Sequence, residues 1–212
     1  MATKFWGPLG WMTLHSISAI YPENPTPQEQ TLITEFMEAF RESMTCPHCK
    51  GHFTSMFKTY KMKHPEWNRS RYDLFVFICR AHNTVNKRLD KPIYPTLDSC
   101  VKQLQENTKI NNAQVYRIAY INYVITNWSR EPTGDGMIFL SSAKKMKKIN
   151  DEYFNPRDTG FANLSFGLDD SVTEFIAEDP KIYNVGQNLP NALSFKSIKK
   201  IGFQNGKFKI HS

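Results

Sequence analysis

The chain has 212 residues, of which 40% are hydrophobic and 13% aromatic, and its net charge is +7. That proportion of apolar side chains suffices for a buried core, which excludes a disordered chain and fits one or two globular domains. It has no run of about 18 apolar residues and its N-terminus lacks the pattern of a secretory signal. We therefore expect a cytosolic protein that binds no membrane and, since the basic residues are spread over both halves, no nucleic acid.

The first half has patterns typical of helices joined by short turns. The first predicted helix carries Trp11 and His15 on one face, because residues four apart lie above one another. Thr26 followed by Glu29 is a capping box, and it predicts a second helix over residues 27–41.

Two further helices follow. Thr45 is the predicted cap of the third helix, which places Cys46 in the first turn, where the helix dipole favours a thiolate. Ser70 opens a fourth helix, and its His82 and Asn86 share one face.

The sequence from about residue 112 onward changes character. It contains the pattern of an amphipathic or largely buried helix, a Lys-rich helix and the segment KKIGFQNGKFKIH, in which Asn205-Gly206 predicts a turn between two short strands. We interpret residues 1–111 as one all-α domain and residues 112–212 as a smaller α+β module of unknown role, either dimerisation or substrate recruitment.

The chain has four cysteines, all in its first half. A first hypothesis is a zinc site that staples an interaction module without catalysis, its ligands being Cys46, Cys49, Cys79 and His82. A second is a thioredoxin-like pair, although a helix rather than a strand precedes the CPHC motif. A third is a redox pair, Cys46 with Cys49, that serves a bound flavin, with Cys79 and Cys100 joined in a structural disulfide.

Three motifs resemble the Erv/ALR flavin-linked sulfhydryl oxidases. With no shuttle cysteines, no signal sequence and an unfamiliar C-terminal module, the chain looks most like the members encoded by large cytoplasmic DNA viruses. The three motifs are GPLGWMTLHSISAIYP, CPHC and CRAHNTVNKRLDKP, and the resemblance covers residues 5 to about 101. It implies a mainly α fold, a four-helix bundle plus a short fifth helix that together bind FAD.

The resemblance also implies roles for individual residues. Cys49 would lie beside the isoalloxazine ring, Cys46 would exchange with incoming thiols, and a disulfide would join Cys79 to Cys100. Besides Cys49, the FAD-lining residues would be Gly7, Trp11, His15, His82, Asn83, Val85, Asn86 and Lys91, with no metal.

The implied activity is an FAD-dependent thiol oxidase that makes disulfides in substrate dithiols and passes electrons to oxygen, giving hydrogen peroxide. The chain has no additional shuttle cysteines, so its partners would be protein dithiols or a thioredoxin-like carrier. The resemblance further implies a homodimer in the cytoplasm of an infected host cell, at the viral factory, with the virion as a second location. His48, between the two cysteines, is expected to tune the pair by favouring the departing Cys46 thiolate.

Overall fold

The computed structural model describes residues 3–108, 113–128, 135–167, 169–177, 201–204 and 207–210. For residues 3–5 and 128 and for the last two segments, only the backbone is described. The helices of this part are α1 (Thr3–Ile20), α2 (Pro27–Glu42), α3 (Pro47–Lys63), α4 (Arg71–Arg88), α5 (Leu97–Asn107), α6 (Gln114–Tyr123) and α7 (Gly136–Ile149). Short π-helical turns, Val124–Trp128 and Asn150–Phe154, follow α6 and α7, and a 3-10 turn, Asn155–Arg157, follows the second of these.

The helix starts follow local capping chemistry. Thr26 and Glu29 form the predicted capping box, and Ser70 caps α4 by accepting a hydrogen bond from the Asp73 N–H. The expectation that Thr45 caps α3 is wrong, because the cap is Cys46 and Pro47 is the first helical residue. Proline suits that position, since its missing N–H would have no partner inside the helix.

Helix α1 begins at Thr3, well before Trp11, and it contains Pro8. Farther along, α1 approaches its neighbours closely at Gly10. A Cβ there would lie 3.2 Å from the Phe40 ring and 3.4 Å from the Tyr120 ring, so this position favours glycine.

The fold is mainly helical, and one large core joins its first four helices to later ones. Helix α1 packs against α4 and α6, and α2 packs against α3 and α7. Large side chains from both halves fill this core, among them Phe36, Phe77, Tyr120 and Phe154. The predicted division near residue 111 stays a prediction, but the described residues of α6 and α7 share a core with the bundle.

A second core lies between α4, α5 and a stretch of chain that we term the return segment, residues 169–177. Phe75, Leu97 and Val172 are fully buried in it. The return segment runs beside the start of α5, where Thr96 and Ser171 form an antiparallel bridge. It also forms an ion pair with α4, between Glu174 and Arg80. A portion of the second half is therefore bound directly to α4.

Arg117 on α6 is a buried cation that ties three parts of the chain together. Its side chain is 0% exposed and pairs with Asp158 at 3.0 Å. It also donates hydrogen bonds to Ser16 on α1 and to Asn150 and Asn155 beyond α7. Since a buried charge is stable only when it is paired and hydrogen-bonded, this network fixes α6 against α1.

The two strands, β1 (Ile201–Gln204) and β2 (Lys207–Ile210), pair antiparallel as the sequence predicts, with Gln204 opposite Lys207. The Asn205-Gly206 turn between them lies outside the described residues. No helix in the described segments is both long and apolar enough to cross a membrane.

Candidate active site

The CPHC motif lies at the N-terminus of α3, and its two cysteines form a disulfide. The Sγ atom of Cys46 accepts a hydrogen bond of 3.2 Å from the backbone N–H of Cys49. Both cysteines are half-buried, whereas Pro47 and His48 between them are exposed. The helix dipole and this N–H group both stabilise negative charge on Cys46, so the site favours a thiolate when the disulfide is reduced.

His48 is hydrogen-bonded to a second histidine, His52, with 2.9 Å between the two Nε2 atoms. His52 was not predicted as a site residue. The signal was present in the sequence, because residues four apart on a helix face the same way. Beside this pair, Lys50 forms an ion pair with Glu42 of α2.

A cluster of rings lies between α1 and α4. The rings of Trp11 and His82 are stacked, with their centroids 4.3 Å apart and their planes 8° apart. His15 is fully buried, and its Nε2 lies 3.0 Å from Nδ1 of His82. The other ring nitrogen of His15, Nδ1, is buried and has no hydrogen-bond partner among the described residues. The cluster therefore contains a buried polar atom with unused bonding capacity.

Burial keeps both histidines uncharged. It lowers the pKa of His82 to about 3, with a smaller contribution from the positive charge of Lys91. Burial also lowers the pKa of His15 well below its usual value, and repulsion from His82 acts in the same direction. Two neutral imidazoles and an indole thus form a largely apolar surface that still offers hydrogen-bonding nitrogen atoms.

The other predicted cofactor residues of α4 differ in their surroundings. Asn83 is fully buried and uses its side chain within the protein: its amide N–H groups bond the carbonyl oxygens of Tyr94 and Val172, and its oxygen accepts from the Tyr94 N–H. The structure thus places Asn83 between α4, the loop before α5 and the return segment. Its predicted role toward a cofactor stays a prediction.

Asn86 shapes the turn after α4 with two hydrogen bonds. Its side-chain amide donates to the carbonyl oxygen of Pro92, and its backbone carbonyl accepts from the Lys91 N–H. Val85 is partly buried against the main core, and Lys91 is exposed. On α1, an added Cβ at Gly7 would meet no atom within 4 Å, so Gly7 borders open space.

Cys79 and Cys100 face each other in the second core as two fully buried thiols, with their Sγ atoms 2.9 Å apart. The structure brings the predicted partners together without an S–S bond. Burial raises the pKa of the Cys79 thiol well above its usual value, and the contact with Cys100 raises it further. The disulfide between Cys79 and Cys100 stays a prediction. The short distance between the two sulfur atoms is compatible with it.

The structure does not assemble the four zinc ligands of the alternative hypothesis. Cys46 is bonded to Cys49, and Cys79 faces Cys100 instead. Within the described residues, His15, Cys79 and Cys100 are the cluster whose ligand atoms lie close enough for a metal ion. That set differs from the predicted one, and the four-ligand hypothesis is therefore wrong as stated.

A sequence model of the Erv1/Alr family matches residues 9–114 of this chain, a span that holds the CPHC motif and the ring cluster. The chain belongs to the Erv1/Alr family. The resemblance predicted from the three motifs is thereby confirmed.

Individual relatives agree with the family match. FAD-linked sulfhydryl oxidase ERV1 of Oryza sativa subsp. japonica is 34% identical over 85 residues, 40% of this chain and 42% of the relative. Mitochondrial FAD-linked sulfhydryl oxidase ERV1 of Saccharomyces cerevisiae is 35% identical over 86 residues, 41% of this chain and 43% of the relative. The FAD-linked sulfhydryl oxidase of African swine fever virus is 28% identical over 116 residues, 55% of this chain and 92% of the relative. This chain spans less than half the length of its plant and yeast relatives.

Proposed function

We propose that this Erv1/Alr-family protein is an FAD-linked sulfhydryl oxidase that makes disulfides in substrate dithiols. The observation that carries the proposal is the Cys46–Cys49 disulfide at the exposed start of α3, within the part of the chain that matches the family. A half-buried disulfide at a helix N-terminus can be reached by an incoming thiolate, and the helix stabilises the Cys46 thiolate that leaves when the mixed disulfide is resolved.

The residues of the ring cluster fit FAD. Trp11 and His82 offer planar surfaces on which flat rings stack, and beside them the buried Nδ1 of His15 has no hydrogen-bond partner among the described residues. Lys91, exposed after α4, supplies a positive charge for phosphate. The proposed FAD-binding residues are therefore those that the resemblance implies, with Asn83 acting through the loop it holds.

The exchange with substrate takes place at Cys46. A substrate thiolate attacks the Cys46 Sγ atom, the Cys46–Cys49 bond breaks, and Cys49 leaves as a thiolate. The second substrate thiolate then attacks the mixed disulfide and displaces Cys46 as a thiolate. The substrate has lost two electrons, which the reduced pair of cysteines now holds.

Cys49 passes these electrons on. Bound FAD would supply the two-electron acceptor for this dithiol and a route from there to oxygen, with hydrogen peroxide as the product. Cys49 would supply the thiolate nearest the cofactor, and the Sγ atoms of Cys46 and Cys49 bond to each other again once the pair has given up two electrons and two protons.

The thiol substrates are protein dithiols, reached directly or through a thioredoxin-like carrier, and the site of action is the cytoplasm of an infected cell. The match to the FAD-linked sulfhydryl oxidase of African swine fever virus, over 55% of this chain, supports the viral part of this proposal. Immunofluorescence of the tagged protein in cultured cells should show a cytoplasmic signal, and a secretory or nuclear signal would contradict it.

The second half serves as a module for dimerisation or substrate recruitment. Helices α6 and α7 pack against α1 and α2 within one chain. A homodimer contact through the second half would therefore use the other faces of these two helices. Sedimentation of the purified protein at several concentrations tests the dimer, and a single species at the monomer mass would exclude it.

Absorbance and oxygen uptake test the oxidase directly. The purified protein should have a flavin spectrum and consume oxygen when dithiothreitol is added. Cys49→Ser is the matched variant: it should keep the flavin spectrum, because the fold is intact, and lose thiol-dependent oxygen uptake.

Two outcomes would contradict the proposal. A colourless protein that gains no flavin spectrum when incubated with FAD would show that the ring cluster does not bind it. Equal oxygen uptake by wild type and Cys49→Ser would show that the CPHC pair is not the route of the electrons.

A further inference from the structure

The histidine pair on α3 connects the redox motif to the interior of the helix bundle. His48 is exposed between the two cysteines, whereas His52, one turn later, is buried with 1% of its surface accessible. Their Nε2 atoms are 2.9 Å apart, and the ring planes meet at 87° with centroids 4.2 Å apart. An exposed ring is thus tied to a ring that the surrounding core holds in place.

A hydrogen bond between two imidazole nitrogens restricts the tautomer and the orientation of both rings. One Nε2 must carry the proton and the other must present its lone pair, so the bond fixes opposite tautomers at the two Nε2 positions. The bond also restricts the side-chain rotation of His48, which as an exposed residue would otherwise sample several rotamers. The remaining ring nitrogen of His48 is therefore presented in a defined direction.

We propose that His52 is a positioning residue that orients His48 and thereby makes the Cys46–Cys49 disulfide a stronger oxidant. The proposal rests on the proposed function in treating these cysteines as the redox pair. An oriented imidazole between the cysteines stabilises the Cys46 thiolate, and stabilising the reduced form raises the oxidising strength of the disulfide. Lys50, the nearest cation in sequence, is paired with Glu42. Its charge is therefore already partly neutralised, and the two histidines are the polar side chains to test first.

The equilibrium with glutathione measures this effect without enzyme turnover. In the reaction, two glutathione molecules reduce the Cys46–Cys49 disulfide and form oxidised glutathione. Anaerobic mixtures are quenched by alkylation, and the reduced fraction is read from the mass of the peptide that contains both cysteines. His52→Phe should lower the equilibrium constant for this reduction about fivefold, the effect of losing one side-chain hydrogen bond.

Three matched variants separate positioning from support of the fold. His52→Gln should restore most of the wild-type constant, because its amide can donate or accept toward His48. His48→Ala should lower the constant by itself, and adding His52→Phe to it should change nothing further, since His52 acts through His48. If His52→Phe does not fold, His52→Asn replaces it, because that shorter amide cannot reach His48.

The inference is overturned if the constant is unchanged in His52→Phe. It is also overturned if His52→Phe has the same effect with and without His48. Because the measurement follows thiols and not oxygen, a normal oxidase with an unchanged constant refutes only the role of His52. A shifted constant in a protein that consumes no oxygen refutes only the proposed function.

Discussion

The two cysteine pairs of this protein lie in opposite surroundings. Cys46 and Cys49 are half-buried at the start of α3, where a backbone N–H and the helix dipole favour a thiolate. Cys79 and Cys100 are fully buried between α4 and α5, where burial raises the pKa of the Cys79 thiol. Identical side chains therefore lie in opposite surroundings, and we expect solvent access and local charge to decide which pair reacts with thiols.

The same contrast holds for polar residues elsewhere in the protein. The CPHC turn exposes its intervening residues to solvent, whereas Asn83 and Arg117 are fully buried and bonded inside the protein. We expect substitutions at the exposed end to change activity with little loss of stability, and substitutions of buried polar groups to do the reverse.

The largest effect should come from Cys46→Ser. Without a disulfide to accept electrons from a dithiol, the rate of thiol-dependent oxygen uptake should fall by about three orders of magnitude or more, because the two cysteines act as one unit. The free energy of unfolding in urea should change by less than about 1 kcal/mol, as for most partly exposed positions. A strongly destabilised Cys46→Ser protein would show that the exposed pair also supports the fold.

Arg117→Met should have the largest effect on stability. The substitution leaves the Asp158 carboxylate buried without its cation, and breaking a buried ion pair costs about 3–5 kcal/mol. Urea unfolding measures the loss. Adding Asp158→Leu should recover part of the stability, because no unpaired charge then remains. Folded Arg117→Met protein should keep its rate of oxygen uptake, and a lost rate would mean that this network reaches the active site.

Cys100→Ala tests whether Cys79 and Cys100 form a disulfide or remain two free thiols. With the predicted bond to Cys79, 21 positions away in sequence, the substitution should cost about 3 kcal/mol of unfolding free energy in oxidising buffer. In reducing buffer the cost should fall to about 1 kcal/mol, the loss of a small buried side chain. The double variant with Cys79→Ala should cost nearly the same as Cys100→Ala in oxidising buffer. Two alkylated cysteines in the denatured, unreduced wild type would contradict the disulfide.

Features encoded within a few residues could be predicted from the sequence. The capping residues Thr26 and Ser70 gave the starts of α2 and α4, because a capping side chain bonds a backbone group two or three residues away. The cap of α3 was misplaced by one residue, since Thr45 and Cys46 can both accept such a bond. The helices of the bundle and the position of the redox motif followed from these local signals.

Contacts between distant residues could not be predicted in the same way. Asn83 bonds Val172, which is 89 positions away, and Arg117 pairs with Asp158, 41 positions away. Nothing within one helix indicates which distant residue will satisfy a buried polar group. The predicted residues Trp11, His15 and His82 do meet, because helical spacing fixed the face on which each of them lies.

The smallest effect concerns His82, whose ring is half-buried between α1 and α4, in contrast to the exposed His48. Its pKa is about 3 in the folded protein and near 6.5 when unfolded, so between these values the unfolded chain binds a proton that the folded protein does not. Stability should therefore be unaffected above pH 6.5 and fall as the pH drops below it, by about 2 kcal/mol at pH 5.

Urea unfolding of wild type and His82→Gln at pH 7 and pH 5 measures this contribution. The loss of stability between the two pH values should be about 2 kcal/mol smaller in His82→Gln, because glutamine binds no proton in either state. Carboxylates that titrate in the same range affect both proteins equally and cancel in the comparison. Equal losses in the two proteins would show that His82 takes up its proton while folded, and the ring cluster would then be accessible to water like the CPHC turn.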